Sequence, residues 1–204
     1  LVIGLGGTGQ WILTFLKKDL LEYNQGIMPS DVKLLAFDTV AQPQAKEKGA
    51  AAGGGGGEDE IKIGGIELRM NDEFIHLGKK NPDIFHWAEG IVHHNKHKHI
   101  ASWFQAEEYI RALPKDAFNL STGAGAIRQF GRMAIYNDLG QPGSSAIWSR
   151  IRREIKKISG QAEITNKMEV IIAGSFAGGT GAGMLIDMAV LLRQIARDEL
   201  GDEK

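Results

Sequence analysis

FAGGTGAGM, residues 176–184, stands between the apolar run EVIIAG at 169–174 and an apolar pattern of helical spacing. Four glycines and one threonine in nine residues offer a core almost nothing to bury. The stretch therefore reads as bare backbone that something approaches closely. GLGGTGQ at 4–10 repeats the arrangement near the start of the chain: Gly4, Gly6 and Gly9 satisfy GxGxxG between an apolar strand and a helix. Such a turn presents backbone N–H groups to an anion at the positive end of a helix. Two of them suggest one phosphate chain held between both.

Working outward, Leu1–Leu5 is a short apolar run with the look of a buried parallel strand. Trp11, Ile12, Phe15, Leu16, Leu20 and Leu21 then recur at helical spacing, which predicts an amphipathic helix over 9–23. Val32–Phe37 reads as a second strand with Asp38 at its carboxyl end, completing a βαβ unit. Glu169–Ala173 is a further strand, and Leu185, Met188, Ala189, Leu192 and Ile195 line a helix over 181–199. Between these, Ser121–Gly125 forms another glycine turn, and Ile127, Phe130, Met133, Ala134 and Ile135 put one apolar face on the helix after it. Ser144 or Ser145 can cap a helix through Ile158 that turns Ile147, Trp148, Ile151 and Ile155 inward. Strands alternating with helices indicate an α/β fold with a mostly parallel sheet.

Residues 43–118 break that rhythm. AKEKGAAAGGGGGEDE at 45–60 is low-complexity and glycine-dominated, with 49–60 read as a flexible loop. IKIGGIELRM suggests a small hairpin or an edge strand, and 82–112 one or two helices broken by IVHHNKHKHI. The expected organisation is a first βαβ unit at 1–42, an insertion at 43–118, and the rest of the nucleotide-binding domain at 119–204.

No lysine follows either glycine turn, so a Walker phosphate loop is a poor match. Phosphate charge would fall to backbone N–H groups, helix dipoles, Thr180 and a metal ion. GGTGAG at 178–183 resembles the tubulin signature loop, GGGTGSG in tubulins and GGGTGTG in the bacterial division protein FtsZ, with Ala177 at the first glycine. GLGGTGQ resembles the first phosphate loop of that family. GAGAIRQFGRMAI at 123–135 resembles the FtsZ loop that reads close to GAGxxPExGRxAA, without gaps.

The resemblance implies a Rossmann-like three-layer sandwich that binds GTP or GDP with Mg2+ and assembles head to tail, as part of a polymerising GTPase. It places phosphate contacts at Gly6, Gly7, Thr8, Gly9 and Gln10, at Asp38 and Thr39, at Gly123, Ala124, Gly125 and Arg128, and at Ala177, Gly178, Gly179, Thr180 and Gly181. Departures exist. The N-T-D-A-Q loop of FtsZ is Asp38-Thr39-Val40-Ala41-Gln42 here, which puts Val40 where the family has an acid. Pro and Glu of the third loop are Arg128 and Gln129, and Arg128 is either turned to phosphate or solvated. The family's base-reading and water-activating loops lie later in its fold, so no catalytic residue is assigned. Leu1 in place of Met, and DELGDEK directly after a helix, are expected of an excerpt from a longer protein.

Other classes remain in play. IGLGGTGQ followed by LLAFDTV also resembles the ATP site of ThiF-like, ubiquitin-activating enzymes, and Asp38 suits a dinucleotide fold. Against this, no Arg follows Asp38 closely, and GGTGAG is left unexplained. A non-catalytic scaffold that kept the fold is the third reading. A net charge of −1 gives no case for nucleic acid, and no apolar run reaches the length that spans a bilayer. With no cysteine, disulfides and thiolate chemistry are excluded, and a cytoplasmic location is expected. His93 and His97 have helical zinc spacing, yet their lysine-rich and carboxylate-free setting favours a solvated loop. RIRREIKKI reads as an exposed basic helix face, with an acidic partner as the alternative, and Trp87, Trp103 and Trp148 read as packing residues.

Overall fold

The computed structural model describes residues 1–40, 63–79, 82–140, 143–160 and 168–201. The glycine-rich run at 45–60 lies outside these. Four parallel strands, β1 (Val2–Leu5), β2 (Leu34–Asp38), β3 (Phe74–His76) and β4 (Ile171–Gly174), form one sheet in the order β3-β2-β1-β4. β1 sits centrally, with Gly4 opposite Ala36 on one side and Ala173 on the other.

Alternation along the strands builds two cores. Leu34 and Ala36 face Leu13 of helix α1 (Gly6–Tyr23), with Phe74 completing that layer. Ile3, Leu5, Leu35 and Phe37 point the other way, into the larger core with α5 (Arg128–Leu139), α6 (Ala146–Ser159) and α7 (Gly179–Leu200). Both faces of the central strands are thus covered, as parallel sheets require. The smaller helices α2 (Phe85–His94), α3 (Lys98–Ala101) and α4 (Ala106–Ala112) precede two 3-10 turns that lead to Gly123. Ser145 caps α6, its Oγ accepting the Trp148 N–H at 3.0 Å. No helix among the described residues is long and apolar enough to cross a membrane.

Several expectations need correction. The span 43–118 is not wholly an insertion, because β3 lies in it and pairs in register with β2, Phe37 opposite Ile75. The turn at 123–125 follows a 3-10 turn, Leu120–Thr122. α1 and α7 begin earlier than predicted, at Gly6 and Gly179, since tertiary packing overrides the poor helix propensity of glycine. Among the described residues, a bridge between Ile63 and Ile66 marks the small hairpin, its Gly64 and Gly65 both at positive φ. Three helices, not one or two, occupy 82–112. His93 lies in the last turn of α2, which ends at His94, while His97 is the left-handed N-cap residue of α3, so helical chelation by this pair is lost. His97 instead packs its ring 4.5 Å from that of Trp87. The basic face of α6 is matched inside the chain: Arg153 pairs with Asp72 and Glu154, and Arg152 and Lys156 with Glu199.

Candidate functional site

A parallel sheet brings the carboxyl ends of all its strands to one edge, where the turns that follow can meet. Here β1 runs directly into Gly6, β2 ends at Asp38, and β4 ends at Gly174, just before α7. The turns do converge. Gly6 has φ +68°, and a Cβ on it would lie 3.0 Å from the Gly181 nitrogen, so α1 and α7 start side by side. Gly179 N–H donates to the Gly125 carbonyl at 2.9 Å, tying the 123–125 turn to the first turn of α7.

Thr39 is the hub beneath them. Its Oγ1 lies 2.8 Å from Thr180 Oγ1 and accepts the Ala124 N–H at 3.1 Å, so one buried hydroxyl joins three turns. His76 Nε2 donates to the Thr39 carbonyl at 2.9 Å from the end of β3. Asp38 accepts from Gln10 Nε2 at 2.6 Å and from the Thr39 N–H at 2.7 Å, which anchors the loop to α1. Asp38 is only 3% exposed, and burial pushes its carboxyl above the usual range against the opposing pull of the Val40, Thr39 and Gln10 hydrogen bonds. Gln10, Asp38, Thr39 and Thr180 are therefore the framework under the site. The Thr180 hydroxyl expected to meet phosphate is already engaged by Thr39.

The glycines fall into two sets. A Cβ at Gly4 would lie 2.6 Å from the Gly9 carbonyl oxygen, and one at Gly9 just as close to Gly4 carbon. At Gly179 it would meet the Gly125 oxygen at 2.4 Å, at Gly181 the Leu5 oxygen at 2.8 Å, and at Gly183 the Arg128 oxygen at 2.1 Å. These glycines let backbones touch, so the idea that the 176–184 run does nothing for packing is wrong for three of its four glycines. Gly7, Gly125 and Gly178 form the second set: a Cβ on any of them would meet nothing within 4 Å. Gly125 still needs its φ of +54°, and Gly123 its φ of +100° beside Val40. Gly7 and Gly178 need neither space nor an unusual φ.

Around the second set the backbone is open: Gly7, Thr8, Gly125, Ala177 and Gly178 are exposed, whereas Gly6, Gly9, Ala124, Gly179, Thr180 and Gly181 are buried. Neither α1 nor α7 has a side-chain cap or an acid in its first turn, so apart from the Gly179 N–H, held by Gly125, no side chain of either helix start answers its positive dipole end. Arg128 opens α5 beside them, exposed, with Nη2 donating to the Phe176 carbonyl at 3.2 Å. The geometry suits an extended anion laid across bare backbone. A protein-held divalent cation fits less well, because Asp38 is buried and committed. No group of three or more His, Asp or Glu among the described residues is placed to hold one.

His76 and Phe176 had no signal in the sequence, since β3 is too short to read and Phe176 belongs to no pattern. Comparison with known proteins bears on the whole arrangement. A family described as tubulin-like matches residues 1–203. No curated protein and no solved structure matches the chain. The family match spans nearly the entire sequence and agrees with a parallel sheet whose glycine turns meet at one edge, and the chain belongs to the tubulin-like family.

Proposed function

We propose that the chain is the phosphate-binding part of a GTP-binding, tubulin-type domain, with Mg2+ entering on the nucleotide's own phosphates. The observation that carries this reading is the state of Gly7 and Gly178. Neither residue is glycine for reasons of packing or backbone conformation, yet both lie open at uncapped helix starts that adjoin. Bare backbone with no internal use is what a bound phosphate chain would require. Gly7, Thr8, Gly125, Ala177 and Gly178 would supply N–H donors, and Asp38, Gln10, Thr39 and Thr180 would hold those turns in place. Guanine as the base and head-to-tail self-association are carried over from the family resemblance, and a cytoplasmic location from the absence of cysteine. The reading includes no hydrolytic step and no role for the cation beyond charge neutralisation.

The scaffold reading draws support from Gly9, Gly179, Gly181 and Gly183, which packing explains without any ligand. The adenylating reading is weakened by the burial of Asp38, whose oxygens face the protein and not a ribose.

Titration of GTP, ATP and NAD with Mg2+ against the wild type and a Gly7→Ala, Gly178→Ala double variant separates these. GTP-selective binding that weakens at least about tenfold in the folded double variant is expected. ATP or NAD preference, or GTP affinity untouched by the two methyl groups, would overturn the proposal, and no binding at all would leave the scaffold.

A further inference from the structure

We propose that the turn joining α2 to α3 is an acid-operated latch: neutral His97 seats the turn on Trp87, and protonation of the histidines gathered there drives that ring off the indole. The latch stands apart from the nucleotide reading.

Five of the chain's six histidines, His86, His93, His94, His97 and His99, fall between positions 86 and 99, together with Lys96 and Lys98. Glu89 is the one acid in that stretch. Asp83, just before it, has Oδ1 engaged by the Phe85 N–H at 2.8 Å. All the cations of the cluster are exposed except His97, which is half-buried. Histidine changes its charge between about pH 8 and pH 5. Acid therefore loads one small patch with like charge that no neighbouring carboxylate offsets.

The turn itself is held by contacts more than by its own backbone. Asn95 and His97 both have left-handed φ, 48° and 55°, which residues other than glycine seldom adopt. The Lys96 N–H between them donates to the Gly90 carbonyl at 2.9 Å. The His97 ring lies edge-on to Trp87, centroids 4.5 Å apart. Gly90 makes room for that ring, since a Cβ there would be 3.1 Å from His97 Cδ2 and 3.3 Å from Nε2. Trp87 in turn donates its indole N–H to Asn137 Oδ1 on α5 at 3.2 Å.

Burial, then His99, His86 and Lys96, hold the His97 imidazole below the ordinary histidine range. His86 reaches the same indole from α2 at 5.2 Å. His99 of α3 lies 6.4 Å from the His97 ring and 6.4 Å from Tyr136, which with Asn137 is what α5 presents here. His93 and His94, in the last turn of α2, are helped to ionise by the helix dipole, so they charge before His97 does. A base that binds its proton more weakly when folded contributes stability above its unfolded pKa. That contribution is lost as pH falls through the unfolded value toward the folded one. Acid thus loosens the seat of His97. The other ties of this segment to α5, the Gln105 N–H to Gln129 Oε1 at 2.9 Å and Arg132 4.3 Å over the Trp103 ring, involve no group that titrates in this range. Opening is therefore confined to the α2–α3 turn.

NMR of the chain from about pH 8 to about pH 5 tests this through histidine ring, indole and amide signals. His97 is expected to ionise at the lowest pH of the five. The Trp87 indole N–H, identified by its loss in Trp87→Phe, should shift with the His97 midpoint. The Lys96 amide should exchange at least about tenfold faster at the acid end, after correction for intrinsic exchange. His97→Phe keeps an aromatic ring without the proton and should silence both responses, whereas His86→Gln and His99→Gln should keep them and raise the His97 midpoint. An His97 that ionises no lower than His93 and His94, as attraction of the imidazolium to the indole would produce, overturns the latch in the wild type alone. Unchanged Lys96 protection, or a Trp87 response that survives His97→Phe or vanishes in His86→Gln, overturns it equally.

Discussion

Gly178 and Gly179 are neighbours with different expected responses to the same added methyl group. At Gly179 a Cβ would sit 2.4 Å from the Gly125 oxygen, 2.8 Å from the Ala124 oxygen and 3.1 Å from Gly125 carbon. All three are backbone atoms, so no side chain can swing aside. Overpacking of this kind costs about 1–3 kcal/mol. Moving the turn also weakens the 2.9 Å bond from Gly179 N–H to Gly125, worth about 1 kcal/mol more. Better helix propensity returns somewhat under 1 kcal/mol, leaving a net loss of roughly 1–3 kcal/mol for Gly179→Ala. At Gly178, with φ −87° and ψ 162° and no atom within 4 Å, the unfolded-state gain of Gly178→Ala is offset by the preference for Gly over Ala at a helix N-cap, and stability should change by no more than about 0.5 kcal/mol. Urea unfolding followed by circular dichroism reads the difference. With a slope of about 2 kcal/mol per molar, the two midpoints should lie roughly 0.5–1.5 M apart. Coincident midpoints, or Gly178→Ala the less stable of the two, would refute the division of the glycines into packing and open sets.

Asp38 gives a pH signature. Its folded-state pKa is raised by burial, so the folded chain holds a proton that the unfolded chain has released, and its contribution to stability falls as pH climbs from the unfolded carboxylate value toward the folded one. Asp38→Asn removes that dependence, so the variant should gain on the wild type as pH rises through this window; parallel stability curves would contradict it. Lys17 and Glu73 form a buried pair at 2.6 Å, with side-chain exposures of 10% and 8%. Lys17→Met should cost about 3 kcal/mol by leaving Glu73 short of a partner, and Lys17→Met with Glu73→Leu should recover much of it in thermal melts. An additive double variant would show that the pair contributes nothing as a pair.

The parts of this fold that could be read were those whose pattern is local. β1 and β2 show as apolar runs ending at turn residues, α6 as isoleucines at helical spacing behind Ser145, and the glycine turns as interruptions between them. β3 could not be read, because Phe74–His76 has three residues and is defined by its pairing with β2, which no local pattern records. The starts of α1 and α7 were misjudged for a related reason: Gly6 and Gly179 are poor helix formers held there by contact with Gly181 and Gly125. The candidate site shows the same division. Its segments were visible in the sequence, yet the roles within them were not. Thr180 reads as a phosphate ligand, but no local pattern records the bond of its hydroxyl to Thr39, 141 residues away. Gly178 and Gly179 are identical letters, separated only by distances to backbone that sequence does not contain. Most of these glycines serve packing, so their number alone does not distinguish a nucleotide site from a scaffold.

The most direct measurement is a backbone amide map of the isotope-labelled chain, by NMR, as Mg2+ and GTP are added. One phosphate chain held across all three turns should move the amide signals of Gly7, Thr8, Gly125, Ala177 and Gly178 together, with a single shared binding constant, and leave still the amides of Met28 and Lys33, which precede β2 at the opposite end of the sheet. Shifts confined to the 4–10 turn, or none at any of the three, would contradict a tubulin-type phosphate site in this chain.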